Sequence, residues 1–441
     1  MSFLLLSKKS CLVLILVISC AIVIDSTIVK FFTYSANELP TLTNVGIFNA
    51  ISITFAICSM ILLRFAKQNN PKYSHQYQSI LRYSYTAISV TQYLIIGILA
   101  FVSLQTFFLK DYNILLLFSA VFITHISALL FLALMVFILV GWFITSRNYI
   151  IMLYAISFSL LSLNILVSLL YLMHEFSYAL SLIRPYPIHL FVVNHPASQL
   201  TNSFSTGLDL LSFFSFVLAW IASAALLGQY RHRMGTIRYW TIISVPLIYF
   251  MFPFETYFAN IFQRLMVDSY LFGVSYIIVF SATKQVGGVL FAMVFLTTST
   301  IINRPKLRHS LIITAAGMAV LFGSVEIDSL VYAVYPPYGL VTVSFMPIGS
   351  FLLLIGIFVS ATSVSQDAEM RKEFYKSAES RLSLLRAIGV TEMEKQYERK
   401  LKFVMDRSKK LEIGEDRQLE QEDIKEILRD VLNELHSKDN K

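Results

Sequence analysis

The chain of 441 residues is 56% apolar and only 14% charged. A soluble fold with this composition would leave more apolar surface than a single core could bury. Its net charge of +8 comes from the first 364 residues, because residues 365–441 hold 17 basic and 18 acidic side chains. The charge pattern therefore does not indicate nucleic-acid binding. The three cysteines are too few for a disulfide scaffold or a thiolate metal site: Cys11, Cys20 and Cys58.

Ten apolar stretches follow one another between residues 10 and 364. Each contains the roughly 20 residues that a hydrocarbon core of about 30 Å requires. Long unbroken apolar runs predict helices rather than barrel strands. The predicted fold class is thus an all-α, polytopic helical membrane protein with about ten transmembrane helices and a helical cytoplasmic tail. The predicted spans are residues 10–33, 43–63, 84–108, 114–143, 149–173, 206–228, 239–262, 272–302, 309–333 and 341–364.

Basic residues between the spans concentrate on alternate connections, which predicts a topology. Thirteen of them fall on the predicted inner segments and only four on the outer ones, which are Lys30, Lys110, Arg184 and Arg264. We therefore expect both termini in the cytoplasm and the spans in the cell membrane. Lys8 and Lys9 precede the first span as in a signal peptide, but no cleavage motif follows, so this span is expected to remain as an anchor.

Aromatic residues near the span ends are expected to lie at the membrane interface. Trp142 and Trp240 fall near predicted inner ends, and a tyrosine group falls near a predicted outer end. Amphipathic rings favour this position, so these residues agree with the charge pattern. The tyrosines are Tyr332, Tyr335 and Tyr338.

Five ionisable residues near the predicted outer side of the spans form the candidate polar pocket. Helical rise counted from the nearest inner basic residue places Glu255, Lys284 and Glu326 about 26 to 30 Å from the inner surface. The same arithmetic places Asp328 at about 30 Å and Asp209 at about 33 Å. A lysine at this depth is costly unless paired, so we expect Lys284 to pair with Glu326 or Glu255. Ordinary interfacial charges that reach water are the alternative interpretation.

Small residues in the later spans predict close helix packing. Gly287 and Gly288 follow Lys284 and allow two interpretations. One is a break beside a small hydrated cavity, and the other, which we favour, is a continuous tilted helix that packs closely through the glycines. Stripes of small residues predict further close packing in the ninth span, at Ala315, Ala319 and Gly323, and in the tenth, at Gly349, Gly356, Ser360 and Ser363.

The sequence contains no arrangement that predicts catalysis or a cofactor. No nucleophile, base and orienting group can be assembled, and no phosphate-binding glycine loop is present, so an enzyme is not expected. The connection at 174–205 contains His174, Glu175, His189 and His195, but no two histidines have the spacing of a helical ligand pair. We therefore predict no metal site.

The last span and the segment after it predict a continuous helix that enters the cytoplasm. No Gly or Pro interrupts residues 357–388, and a second amphipathic helix is expected at 419–435. The predicted domains are residues 1–364, the transmembrane domain, and 365–441, the cytoplasmic tail. The apolar faces of the tail require a surface to pack against. This surface is the tail of a second copy in a coiled-coil-like homodimer, a cytoplasmic protein, or the other tail helix in an antiparallel hairpin within one subunit.

Short motifs at the junction between the last span and the tail carry a resemblance. Ser363-Val364-Ser365-Gln366-Asp367 is followed by Leu384-Leu385-Arg386-Ala387-Ile388-Gly389 and by Met393-Glu394. In these motifs the chain resembles multi-pass membrane proteins of ammonia-oxidising archaea. The resemblance implies an archaeal cell membrane, and it carries no activity, cofactor or site residue.

Three functions remain compatible with these patterns. The leading hypothesis is a sensor or signalling-type membrane protein whose last helix moves the cytoplasmic tail. A secondary transporter that uses the charged layer is the first alternative, although the two halves of the chain show no self-similarity as inverted repeats would. A non-catalytic membrane subunit that docks another protein through its tail is the second alternative.

Overall fold

A computed structural model describes the chain as a bundle of helices. The described residues are 8–34, 41–68, 75–182, 199–228, 231–254, 258, 261–262, 264–265, 268–301, 305–324 and 335–366. Within these ranges every regular element is helical, so the predicted all-α class is confirmed.

Twelve α-helices and one 3-10 segment are described along the chain. The 3-10 segment spans Val245–Phe254. The helices are α1 (Lys8–Tyr34), α2 (Thr41–Gln68), α3 (His75–Phe108), α4 (Ile114–Ser146), α5 (Tyr149–Leu182), α6 (Gln199–Gly228), α7 (Arg231–Met234), α8 (Thr236–Ser244), α9 (Tyr270–Ile301), α10 (Pro305–Ser324), α11 (Leu340–Ser344) and α12 (Met346–Gln366).

Seven described stretches of helix are long and apolar enough to cross a membrane, and the last of them runs through α11 and α12. Large apolar side chains are exposed along them, such as Ile53, Leu130 and Phe137, where a lipid environment would cover them. The chain is therefore a multi-pass helical membrane protein. The seven stretches are Leu42–Lys67, Arg82–Phe108, Ile114–Thr145, Tyr149–His174, Gly207–Gly228, Leu307–Ser324 and Leu340–Thr362.

The remaining three predicted spans differ from simple long apolar helices. The first contains the shorter apolar stretch Val13–Ile28, and the eighth contains Leu271–Phe280 and Val286–Thr300. The seventh, expected as one helix over 239–262, changes from α to 3-10 geometry at Val245. Pro246 explains the change, because a proline has no N–H to donate to the preceding turn of an α-helix.

α12 lies at the centre of the bundle. Every side chain from Met346 to Thr362 is buried except Ile357, which is partly exposed. The helix packs most extensively on α10 and also contacts α4, α3 and α2. The candidate span that contains α12 also has the largest buried share of the seven, and α12 is the described helix nearest to the tail in sequence.

The contact between α10 and α12 is made by backbone against backbone. A Cβ atom added at Gly349 would lie 2.9 Å from the Leu321 nitrogen, and one at Gly317 would collide with the Leu353 nitrogen. Gly356 similarly lies against Thr314. The predicted close packing of the tenth span is confirmed, with Gly317 as a contact that the predicted stripe did not include.

Gly287 and Gly288 also serve helix packing. α9 is one continuous helix, and a Cβ atom at Gly287 would lie 2.6 Å from the Tyr249 Cβ in the 3-10 segment. One at Gly288 would lie 2.9 Å from the Phe322 backbone of α10. These contacts confirm the packing interpretation over a break at the glycines.

The aromatic residues expected at the membrane interface differ in exposure, and their depth in the membrane stays a prediction. Trp240 is exposed, but Trp142 and Tyr338 are each only 1% exposed. Both rings pack into the bundle, and the Tyr338 hydroxyl finds hydrogen-bond acceptors there, which removes the need for an aqueous contact. Tyr332 lies outside the described residues.

The chain divides into two compact units, Met1–Thr391 and Glu392–Lys441. All described residues belong to the first unit. The predicted boundary between residues 364 and 365, the helical tail and its coiled-coil-like pairing stay predictions, since residues 367–441 lie outside the described part of the chain.

Candidate functional site

The five residues of the predicted polar pocket are only partly within the described structure. Asp209 is half-buried on α6, and Lys284 lies in the middle of α9, where only its backbone is described. Glu255, Glu326 and Asp328 lie outside the described residues. The pairing of Lys284 with a carboxylate therefore stays a prediction.

A different carboxylate, Asp25 on α1, is the centre of a buried polar site. Its side chain is completely buried. Its Oδ1 accepts the Gly339 N–H at 3.0 Å, and its Oδ2 accepts the Thr342 N–H at 2.9 Å and the Thr342 hydroxyl at 2.7 Å. These donors lie at the N-terminus of α11, where backbone N–H groups have no partner within the helix. Asp25 thus holds the start of α11 against α1.

Gly339 gives the chain the turn that this contact needs. Its φ is +85°, in the left-handed region that side chains with a Cβ rarely adopt. The residue precedes α11 as its N-cap and has no side chain to satisfy the helix. Asp25, distant in sequence, supplies the acceptor that a Ser or Asp cap would supply locally.

Tyr338 connects the same loop to α2. Its hydroxyl lies 2.7 Å from both the backbone oxygen and the Oδ1 of Asn44. The Asn44 amide in turn donates to the Tyr335 carbonyl at 3.3 Å. The Tyr338 ring packs edge-on against Phe48, with centroids 5.8 Å apart. The loop is therefore held to α2 by both polar and aromatic contacts.

Tyr335 connects the loop to α3 and to the α3–α4 turn. Its hydroxyl donates to the Thr106 carbonyl of α3. Its ring stacks on that of Tyr112, with centroids 6.5 Å apart and planes 16° from parallel. We call the assembly of Asp25, Asn44, Tyr335, Tyr338, Gly339 and Thr342 the loop site. It joins α1, α2, α3 and the start of α11.

The electrostatics of the loop site favour neutral tyrosines. Burial raises the pKa of Tyr338, and the Asp25 carboxylate raises it further. Burial also raises the pKa of Tyr335, with Asp111 as the second cause. Both hydroxyls therefore stay protonated and donate hydrogen bonds throughout the physiological pH range.

The loop site is built from polar groups that join neighbouring elements of the bundle. Its groups are one carboxylate, tyrosine and threonine hydroxyls, an amide and backbone N–H groups, each used to hold a neighbouring element. Across the described residues, no group of three or more His, Cys, Asp or Glu side chains has the geometry of a metal site. His174, from the outer connection considered for metal, is exposed at its place on α5.

The sequence contained a weak signal for Asp25 and none for its partners. An acid inside a predicted apolar span is unusual, and this was visible at residue 25. Its bond to Thr342 joins residues 317 positions apart, a contact that no spacing rule reveals.

Comparisons with protein families, with curated proteins and with solved structures found no match to this chain.

Proposed function

We propose that the protein is a sensor or signalling-type membrane protein in which α12 transmits a change at the loop site to the cytoplasmic tail. The observation that supports this most is the position of α12. It is the central helix of the bundle, its start is coupled to the loop site, and its end at Gln366 leads into the tail.

The connection from the loop site to α12 is nearly continuous. Thr342, held by Asp25, accepts the Phe345 N–H at 3.2 Å, and Phe345 accepts the Gly349 N–H at 3.0 Å. The backbone hydrogen bonds thus pass from α11 into α12 across the turn at Phe345. From Gly339 to Gln366 the path covers 27 residues, or about 40 Å at 1.5 Å each.

A displacement of α11 at the loop site is expected to pass to α12 as a whole. α12 has backbone-to-backbone contact with α10 at its glycines, and such close-packed interfaces slide or rotate as units. A stimulus that separates Asp25 from Thr342 would therefore shift or rotate α12 as a rod. The tail would receive this movement at Gln366.

The first experiment tests whether α12 continues into the tail as one rigid helix. Spin labels at Ile357, the partly exposed position of α12, and at Phe374 should give a narrow distance distribution near about 26 Å, from 17 residues at 1.5 Å. Two glycines inserted between Ser365 and Gln366 should broaden it, since each weakens the helix by about 1 kcal/mol. Two alanines inserted at the same point are the matched control and should keep it narrow. A broad distribution in the unaltered protein would contradict transmission through a rod.

The second experiment tests coupling to the loop site. Spin labels at Arg147 and Phe374 report the tail against the membrane domain. Asp25→Asn should shift this distance, Asp111→Asn should leave it unchanged, and the two-glycine insertion should abolish the shift. An unchanged distance in Asp25→Asn would favour a non-catalytic subunit with a passive docking tail.

A secondary transporter is the second candidate, and the 3-10 segment is the observation that favours it. Irregular helix within a predicted span exposes backbone groups, as discontinuous transporter helices do. This segment packs on α9 at Gly287, three residues after Lys284. Flux in proteoliposomes that is lost in Lys284→Met but kept after truncation at Gln366 would select the transporter over the sensor.

A further inference from the structure

Buried polar atoms without partners are concentrated on α2 and α3. Seven such side-chain atoms occur among the described residues, and five of them lie on these two helices. The other two are the Nε2 of His125 and the Nε of Arg308. The five atoms are Asn49 Oδ1, Ser52 Oγ, Gln92 Nε2, Gln92 Oε1 and Ser103 Oγ. We call these four residues the α2–α3 seam.

The seam residues on α3 share the helix face that carries Tyr85. The Tyr85 hydroxyl donates to the Ala66 carbonyl of α2 at 2.6 Å, and its ring packs on Phe351 of α12 with centroids 5.0 Å apart, so this face is turned toward α2 and α12. Gln92 follows Tyr85 by 7 residues and Ser103 follows Gln92 by 11, close to two and three whole turns of about 3.6 residues. Thr91, about 100° around the helix from Gln92, faces α4, where its hydroxyl lies 3.3 Å from that of Ser127.

The same contacts fix the relative height of the two antiparallel helices. Counting from the Tyr85–Ala66 bond, Ser103 lies level with Phe48 and Asn49, and Ser52 lies level with Leu99. At the other end Tyr335 and Tyr338 contact Thr106 and Asn44, which agree with this register. Gln92 lies about 21 Å inward from Thr106, at 1.5 Å for each of 14 residues.

A comparison with α5 and α6 shows that the seam is unusual within this bundle. There, polar side chains that face each other are satisfied: Ser157 donates to the Ser215 carbonyl at 2.7 Å, and Ser215 donates to the Ser157 carbonyl at 2.9 Å. Asn164 donates to the Leu208 carbonyl at 2.7 Å. Polar helix interfaces in this protein thus normally pair their groups, and the α2–α3 seam does not.

The chemistry of the seam defines what can occupy it. The Gln92 amide presents a donor and an acceptor, Asn49 presents an acceptor, and the serines present hydroxyls that do both. None of these residues is charged, so no side chain of the seam would balance the charge of a bound ion. Leaving the groups unpaired in a membrane protein is costly, whereas a small polar molecule would satisfy them.

We propose that the α2–α3 seam is a binding pocket for small uncharged molecules that both donate and accept hydrogen bonds. Water is the simplest of these, and small amides such as acetamide share the chemistry. The pocket extends from the Tyr335–Gly339 loop inward to Gln92 and ends at the Tyr85–Ala66 bond. The bond from Tyr335 to Thr106 covers its outer end, so this side chain controls entry. This site is independent of the proposed signalling role.

Cysteine modification tests the pocket. In a background with the three native cysteines replaced, Ser52→Cys and Ser103→Cys should react with a neutral hydroxyethyl methanethiosulfonate. Ile53→Cys and Leu104→Cys are the matched controls, because they neighbour the seam positions but are 60% and 55% exposed on the outside of the bundle. The seam thiols should react roughly tenfold faster, since a thiol in water ionises and one in lipid does not. Equal rates would overturn the proposal.

Two further experiments identify the end from which the pocket is entered and the molecule that occupies it. Tyr335→Ala should accelerate modification of Ser103→Cys, whereas Tyr85→Phe should not; the reverse result would overturn the assigned direction. Molar acetamide that slows modification of Ser52→Cys identifies an amide-type solute as a ligand. Seam thiols that remain reactive without slowing identify water as the occupant.

A measurement on the unaltered protein avoids dependence on folding of the variants. Radiolytic hydroxyl-radical labelling oxidises buried side chains that contact bound water. Leu99, level with Ser52 and only 2% exposed, should be oxidised, whereas Leu353, equally buried in the glycine contact of α10 and α12, should not. Protection of both leucines would show a dry seam and overturn the proposal.

Discussion

Single side chains decide how the loop between Tyr335 and Gly339 is held. Asp25 satisfies three donors at once, and no other acceptor for the Gly339 and Thr342 N–H groups is provided within α11. Tyr338 donates to Asn44 and so ties the loop to α2. At this scale the loop site is a set of buried hydrogen bonds, in which the loss of one partner leaves another unpaired.

The first prediction concerns Asp25→Asn. The new amide can accept through Oδ1, but its NH2 group faces the Thr342 N–H and cannot accept from it. We expect the free energy of unfolding to fall by about 1 to 3 kcal/mol, measured by thermal unfolding in detergent. Asp111→Asn is the control, because its exposed side chain keeps an oxygen that can accept the Tyr112 N–H. Identical melting temperatures for the two variants would contradict the role of Asp25.

The second prediction concerns alkaline pH. The raised pKa of Tyr338 means that the folded protein keeps its proton where an unfolded tyrosine, with a pKa of about 10, loses it. The folded state then binds more protons, so the free energy of unfolding should decrease as pH rises above about 10 and be unaffected by this group at lower pH. Tyr338→Phe should be less stable overall but should lose less stability between about pH 9 and 11. Parallel pH profiles of the two melting temperatures would contradict this.

Pairs of elements meet through two kinds of contact in this bundle. α10 and α12 approach until their backbones touch, which only glycine permits at the crossing points. α5 and α6 instead use reciprocal serine bonds. At the seam residues, α2 and α3 show neither glycine contacts nor reciprocal hydrogen bonds, and their buried polar atoms therefore lack partners.

The third prediction separates these contacts by substituting glycines. Gly349→Ala would place a Cβ 2.9 Å from the Leu321 nitrogen, and overpacking of this kind costs about 1 to 3 kcal/mol. Gly97→Ala on α3 is the control, since nothing lies within 4 Å of the added Cβ. It should stabilise the protein by about 0.5 to 1 kcal/mol, because alanine favours a helix over glycine. Chemical or thermal unfolding in detergent measures both, and equal effects would reject the close contact.

For the whole molecule, the arrangement of helices around α12 gives the protein an interior despite its membrane setting. Apolar side chains on the outside, such as Leu130 and Phe137, face lipid, while α12 and α10 are enclosed by protein. The sidedness of this assembly rests on the positive-inside pattern, which the sequence supplies independently of packing.

The fourth prediction tests that sidedness by cysteine labelling in sealed cells. Asp111→Cys and Asp268→Cys should be labelled from outside, and Lys67→Cys and Arg147→Cys only after permeabilisation; all four positions are exposed. Asp111 and Arg147 flank α4, a single helix of 33 residues, so labelling both from one side would reject the predicted topology. Tyr338 is unsuitable for labelling because it is buried.

Local features of the sequence were enough to predict the all-α membrane class of this protein, its long helices and the close packing of its glycine-containing spans. These properties follow from local features: apolar runs of spanning length, the absence of helix breakers, and small residues at helical spacing. The change to 3-10 geometry near Pro246 was also encoded locally, by a proline without an N–H, although the prediction of one continuous span missed it.

Which polar groups meet depends on how the helices pack against one another. Asp25 and Thr342 are joined across 317 positions, and Tyr338 is buried although its place in the sequence predicted an interfacial ring. The predicted pairing of Lys284 with a carboxylate is a contact of the same kind and stays a prediction. The periodicity of the sequence predicts which face of a helix is apolar, but it does not predict which other helix packs against that face. A buried polar side chain acquires its partner, or lacks one as Gln92 does, only when the helices have packed.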